Sequence, residues 1–332
     1  MTLHYSKSRC CNAVIIRYGG KRRQCTRCKK TWTIRPKRRG RKIIQPTQRL
    51  IIAYFSKAVS NVRTLAKQRR WGRDRAQRML ARSLRKYIAS HDKDWLRFLP
   101  EHGRLIAVAD GIWHRIGKGK ITVYMILLRP VHSDRAVICP PVFLPGWEDK
   151  NGWEEAFASL PDAVSSRICS LVCDGHIALV ALGRRRQWHI QRCHFHLIAN
   201  LNMYLGARKH TTAKTILFLV QQLITTANPI VSREICAKLR HIRITLKSRG
   251  VRRVLGGLET HYKDFQTYAR YPYLSLPSTT NAAESCISGA RDLMRRCRGF
   301  RSWNAMHAWL TGYTIWKGTI RCNGKKPTEL IS

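Results

Sequence analysis

Two apolar runs, each ending in Asp-Gly, constrain this chain more than any other feature. Leu105–Ala109 leads into Asp110-Gly111, and Ile168–Cys173 leads into Asp174-Gly175. A short apolar run closed by a turn signal reads as a buried strand. In open sheets with crossover helices, ligands bind at the carboxyl ends of the strands, and here two strands deliver a carboxylate to that edge. The acids are conspicuous because the 332-residue chain carries 63 Lys and Arg against 18 Asp and Glu.

A formal charge of +45 opposes compaction unless polyanions neutralise it. The basic residues run from end to end, so nucleic acid is the expected partner, ahead of an acidic protein patch. No membrane partner is expected, since no apolar run approaches the ~20 residues of a spanning helix. Hydrophobic residues make up 44% of the chain, enough for folded domains, and the length allows two or more. The opening residues lack the apolar core of a secretory signal. Most of the twelve cysteines lie in apolar runs, not loop-rich spacings. A cytoplasmic, nucleoid-associated location with reduced thiols is therefore expected.

Residues 1–42 predict a zinc-ribbon-like module with a basic linker. Cys25-Thr-Arg-Cys28 offers two thiolates to one Zn2+, and Cys10 with Cys11 is the second pair. Adjacent side chains on extended backbone point apart, which leaves His4 as a substitute ligand. The other reading is a degenerate ribbon held by Trp32 and Ile34. Arg35–Lys42 is a basic linker suited to phosphates. Residues 43–95 predict a helix-turn-helix domain. Helices around Leu50–Phe55 and Val62–Lys67 precede a Trp71-Gly72 turn and an arginine-rich helix. Met79, Leu80 and Leu84 face its core, leaving Arg73, Arg75, Arg78 and Arg82 for DNA. The bland alternative is a basic three-helix bundle that solvates its arginines.

From residue 96 the pattern turns α/β. Strands are expected at Leu105–Ala109, at Ile121–Leu128 after a Lys118-Gly119-Lys120 hairpin turn, and from Ala136 on towards Leu144. A helix from Gly152, the Ile168 strand, a helix over Ile177–Arg186 and a strand at Trp188–Gln191 follow. Three strands, helix, strand, helix, strand is the RNase H-like arrangement, a mixed five-stranded sheet with flanking helices. In that topology the first and fourth strands are neighbours, so Asp110 and Asp174 meet. This part runs over 96–208 and resumes over 271–332, around an all-helical insertion at 209–270. A last helix, Ser302–Lys317, carries a stripe of Trp303, Met306, Trp309, Leu310, Tyr313 and Trp316, read as core.

Asp110-Gly111, Asp174-Gly175, Cys193-x-x-His196 and Thr280-Asn281-Ala-Ala-Glu284, spread over roughly residues 104 to 320, together resemble the DDE transposases of bacterial insertion sequences, in their Mutator-like branch. The resemblance implies a catalytic triad of Asp110, Asp174 and Glu284, and matches Cys193 and His196 to that branch's Cys-x-x-His pair. It implies binding to terminal inverted repeats, then metal-dependent DNA cleavage and strand transfer. Two Mg2+ ions, or Mn2+, suit in-line displacement at a phosphodiester. Asp110 is expected to bridge them, with Asp174 and Glu284 each binding one. Double-stranded DNA, as element ends and target, and a homodimer or higher oligomer on it are the expected partners. Arg184, Arg185, Arg186, Arg291 and Arg295, with Arg296, Arg298 and Arg301, flank catalytic positions and are candidate phosphate contacts, simple solvation being the alternative. Glu259, Asp264 and Asp292 compete with Glu284 for the third place. Cys193 and His196 are assigned a positioning role ahead of a full zinc site. The rival functions are a non-catalytic DNA-binding regulator and an RNase H-like nuclease or resolvase.

Overall fold

The structure is a computed structural model that describes residues 7–8, 10–18, 22–33, 46–116, 119–206, 211–297, 300 and 302–322. His4, Ile34, the 35–42 linker, Lys118, Arg298 and Arg301 lie outside the described residues. The chain divides at Pro46 into two compact units.

The first unit is a small antiparallel sheet of β1 (Ile15–Arg17), β2 (Arg22–Cys25) and β3 (Thr31–Thr33) in chain order. Ile16 stands opposite Gln24, and Arg23 opposite Trp32.

The second unit opens with α1 (Pro46–Phe55), α2 (Val62–Arg69) and α3 (Arg73–His91). Asn61 caps α2 by accepting the Thr64 N–H. Arg70, at φ +52°, then turns the chain towards Gly72. Along α3, Ala76, Leu80, Ser83, Leu84 and Tyr87 are buried at helical spacing, while Arg73, Arg75, Arg78 and Arg82 are exposed. The apolar faces of these helices do not close on themselves but join a core shared with one face of the central sheet and the last two helices.

The central sheet is built from β4 (Leu105–Ile116), β5 (Gly119–Pro130), β6 (Arg135–Ile138), β7 (Val142–Pro145), β8 (Ile168–Cys173), β9 (His189–Arg192) and β10 (Thr319–Arg321). Its order is β10-β6-β5-β4-β8-β9, with β7 beside the first half of β5. β4, β8 and β9 are parallel, and the remaining pairs are antiparallel. Helices α4 (Lys150–Ala158), α5 (Asp162–Ser165) and α6 (Ile177–Arg185) make the crossovers β7→β8→β9. One face of β4, Leu105, Ala107 and Ala109, packs with Trp153 and Phe157 of α4 and Leu179 of α6. The other face, Ile106, Val108 and Ile112, packs with α12 (Asn281–Arg296) and α13 (Trp303–Lys317). Burying side chains of this size stabilises by roughly 1.5–3 kcal/mol each. Between the halves, α7 (His194–Leu205), α8 (Thr211–Thr225), α9 (Pro229–Thr245) and α10 (Arg249–Phe265) share a separate core, followed by α11 (Thr267–Arg270).

Three features differ from the sequence expectation. The first strand does not stop at Asp110-Gly111 but pairs with β5 out to Ile116 opposite Gly119. What stops there is β8, whose ladder with β4 ends at Val108 opposite Val172. The expected third strand is two strands. Pro140 and Pro141 offer no N–H to a ladder, and the chain swings from the far end of β5 to its near end. β10, after the last helix, adds an edge strand for which the sequence carried no signal. Of the aromatic stripe, Met306, Leu310 and Tyr313 are buried, and Trp303, Trp309 and Trp316 pack partly buried against the same core. Among the described residues no helix is long and apolar enough to cross a membrane.

Candidate acidic site at the carboxyl edge of the sheet

Parallel pairing of Val108 with Val172 places Asp110 and Asp174 two residues further on, side by side. Each carboxylate is oriented by a local turn. Asp110 Oδ1 accepts the Gly111 N–H at 2.8 Å, and Asp174 Oδ1 accepts the His176 N–H at 2.8 Å. The second turn needs Gly175, whose φ is +99° and whose missing side chain admits Arg192. Burial, the Asp174 charge and Glu284 push the Asp110 carboxyl up from its ordinary 3.8 to about 7, against the pull of His196 and the Gly111 N–H.

Glu284 is brought to the same edge by the first turn of α12, and the Cys193–His196 segment holds it there. Cys193 is fully buried, and its Sγ accepts from the Thr280 N–H and hydroxyl, both at 3.3 Å. The Thr280 hydroxyl also lies 2.9 Å from Glu284 Oε1, and His196 Nδ1 lies 3.6 Å from that oxygen. Burial by itself lowers the His196 pKa. The neighbouring Cys193, then Glu284 and Asp110, outweigh it and raise it to about 9. The imidazole is thus a cation set among acids, and Cys193 fixes the start of the helix that carries Glu284. Ligand atoms of Cys193, His196 and Glu284 all lie within 4.8 Å of one another, so this trio can also hold a metal ion.

The three competitors for the third acid are engaged elsewhere. Glu259 pairs with Arg240 and Arg243, Asp264 with Arg184 and Arg192, and Asp292 with Lys57, Arg295 and Arg296.

A fourth carboxylate escaped the sequence reading. Glu148 accepts the Trp153 indole N–H at 2.8 Å and lies 3.5 Å from His176 Nδ1. Its Oε2 is 2.7 Å from where a Cβ on Gly111 would stand, so the bare backbone at Gly111 makes room for it. Burial, with the Asp174 charge adding to it, pushes the Glu148 carboxyl up despite Trp153 and His176. No strand-end motif marks Glu148; Gly111 was the available signal. Thr280 stands in the Thr280-Asn281-Ala-Ala-Glu284 motif, whose sequence gives no sign of its contact with Cys193.

The candidate phosphate contacts divide. Arg184 is tied to Asp264 at 3.2 Å and Arg185 to Glu154 at 2.7 Å, while Arg186 stacks over Trp188 and Phe157. Arg291 and Arg295 are exposed and line a cavity of about 420 Å³ with Ser288 and with Ile112, Trp113 and His114 of β4.

In the first unit, Cys10, Cys11, Cys25 and Cys28 offer four sulfur atoms within 4.8 Å of one another. A tetrahedron with ~2.3 Å Zn–S bonds has edges of about 3.8 Å, so this set can hold a metal such as zinc. Cys10 and Cys11 converge because they occupy a turn closed by Asn12 at φ +49°, not the extended backbone that would splay them. The Cys28 N–H and the Ser8 hydroxyl pull the Cys25 thiol down to about 6, whereas Cys28, burial and Cys10 push Cys11 up to about 12. The thiols crowd one another in the way a bound cation relieves.

No family model matches this chain, and neither does any curated protein.

Proposed function

We propose that the chain is a DDE-type DNA transposase with an RNase H-like catalytic core. One observation carries the reading: the neighbouring carboxylates Asp110 and Asp174 on parallel strands, with Glu284 reaching the same edge from a helix after the helical segment. The sheet order, with the first strand between the second and the fourth and an antiparallel first half, supports the fold reading. The excess of basic residues supports a nucleic-acid substrate.

Asp110, Asp174 and Glu284 would hold Mg2+, with Mn2+ as a substitute; hard oxygen donors suit both, and the burial that raises Asp110, with the charges of Asp174 and Glu284 adding to it, fits a cation site. When bound, such ions activate a water or 3′-hydroxyl and stabilise the departing oxygen. The residues of the chain bind and orient. His196 holds Glu284 by its charge, Cys193 anchors Thr280 at the head of α12, and His176 joins Asp174 to Glu148. Arg291 and Arg295 face a phosphate backbone leaving this edge. The exposed arginines of α3 would read the element ends, with Zn2+ in the first unit shaping a second DNA contact and two chains bridging two ends.

The test is strand transfer on element ends with Mg2+, comparing the parent with Asp110→Asn, Asp174→Asn and Glu284→Gln. Loss of cutting and joining in all three supports the triad; variants as active as the parent refute it. A parent that binds DNA yet cleaves with neither Mg2+ nor Mn2+ points to a DNA-binding regulator.

A further inference from the structure

Trp113 and Trp147 are the most exposed tryptophans among the described residues, at 60% and 59%. They are not scattered. Trp113 on β4 and Trp147, two residues after β7, place their ring centroids 5.8 Å apart at a tilt of 57°. Lys120 Nζ stands 3.5 Å over the Trp147 ring, and exposed Arg115 is paired in register with Lys120. The other described tryptophans are buried or partly buried, and Tyr54, Phe55, Trp309 and Tyr313 knit the core. These two indoles contact each other and Lys120 yet stay mostly exposed.

Their position relative to the acids is defined from two sides. Trp113 lies three residues beyond Asp110, about 10 Å along the strand, and strand alternation puts it on the Gly111 face, opposite to that of Asp110. Trp147 directly precedes Glu148, whose carboxylate packs against Gly111. The cavity between the Ile112–His114 stretch of β4 and Ser288, Arg291 and Arg295 of α12 lies on the Asp110 face of the strand. From Glu284 to Arg291 the helix rises about 10 Å, so β4 and α12 run away from the acids together. Along that course the charges are positive. Of the acids nearby, Asp292 is bridged by Lys57, Arg295 and Arg296, Glu148 is held by Trp153 and His176, and Asp149 caps α4.

We propose that Trp113 and Trp147 form a stacking platform for an unpaired DNA base, with Arg115 and Lys120 beside it for the phosphates of that strand. Every base has a face to stack, so the platform selects for unpaired strand, not for sequence. It rests on the DNA-cleaving reading for its substrate, but not on cleavage for its test.

The experiment uses the full chain without divalent ions and a single-stranded oligothymidylate carrying one 2-aminopurine. The parent should bind it and quench the 2-aminopurine fluorescence. Trp113→Ala and Trp147→Ala should bind about 5- to 150-fold more weakly with the quench lost, the range for one stacked base. Trp113→Phe, which keeps an aromatic face, should retain most of both. Binding to duplex of the same length should change less than about twofold, because it rests on phosphates. Alanine variants that bind and quench like the parent overturn the platform, as does an equal loss on duplex and single strand. A changed association state with unchanged DNA binding overturns it too, and marks the pair as a contact between chains. A parent that binds and quenches but never cuts DNA leaves the platform standing and removes the transposase reading.

Discussion

Replacing Asp110 with Asn should stabilise the divalent-ion-free protein, and the gain should grow with pH. Burial, followed by the charge of Asp174, raises the Asp110 carboxyl from 3.8 to about 7. A carboxyl whose pKa is raised on folding favours the folded state below its unfolded value. That stability is lost as pH rises through the folded value, because over this interval the folded state holds the extra proton. At ~1.36 kcal/mol per tenfold change, the interval from 3.8 to about 7 amounts to roughly 4 kcal/mol, fully lost by pH 8. Asparagine keeps the shape without the charge and does not suffer this loss. The second unit has roughly 290 residues, so its unfolding entropy is about 0.6 kcal/mol/K. The ceiling is then a Tm advantage of about 7 °C at pH 8, shrinking towards zero near pH 4. Asp110 also supports the His196 cation, so part of this is returned. Calorimetry of parent and variant from pH 4 to 8 in chelator gives the gap directly. Millimolar Mg2+ should raise the parent alone and narrow it, since the ion stabilises the state it binds. A gap that does not change with pH, or an Asn variant less stable than the parent at pH 8, refutes the reasoning.

Two further outcomes follow from contacts already described. Cys193→Ala removes the acceptor of the buried Thr280 N–H, while the Thr280 hydroxyl keeps Glu284, and should cost about 1–3 kcal/mol, read as a lower Tm of the second unit; Cys193→Ser should recover part of it, and an unchanged melt for Cys193→Ala refutes the anchoring role. Elemental analysis should find one zinc per chain with first-unit sulfur ligands, lost on Cys25→Ser; equal zinc in the parent and in a chain lacking all four of these cysteines refutes the site.

Part of the site was legible in the sequence because strands and helices announce themselves locally. Asp174 follows a strand whose residues are nearly all buried, and the Asp-Gly turn needs a residue at positive φ. Asp110 was legible for a partly mistaken reason: its strand continues, and the edge exists because β8 stops there. The choice of Glu284 over Asp292 was not legible, since both lie on one helix with similar spacing. Tertiary contacts separate them, by giving Asp292 to Lys57 and its neighbouring arginines and Glu284 to Thr280 and His196.

The chain by itself determined what depends on period and composition: an α/β core, an arginine-bearing exposed face on α3, a run of apolar helices after Leu205, and four paired thiols near the start. Only the tertiary structure decided what depends on distance across the fold. It converged Cys10 and Cys11 through a left-handed turn, delivered Glu148 past the bare backbone of Gly111, and left Trp113 and Trp147 together in the open. Hydrophobic periodicity reports which face of an element is buried. It carries no information on which charged or aromatic groups, tens of residues apart, share one edge.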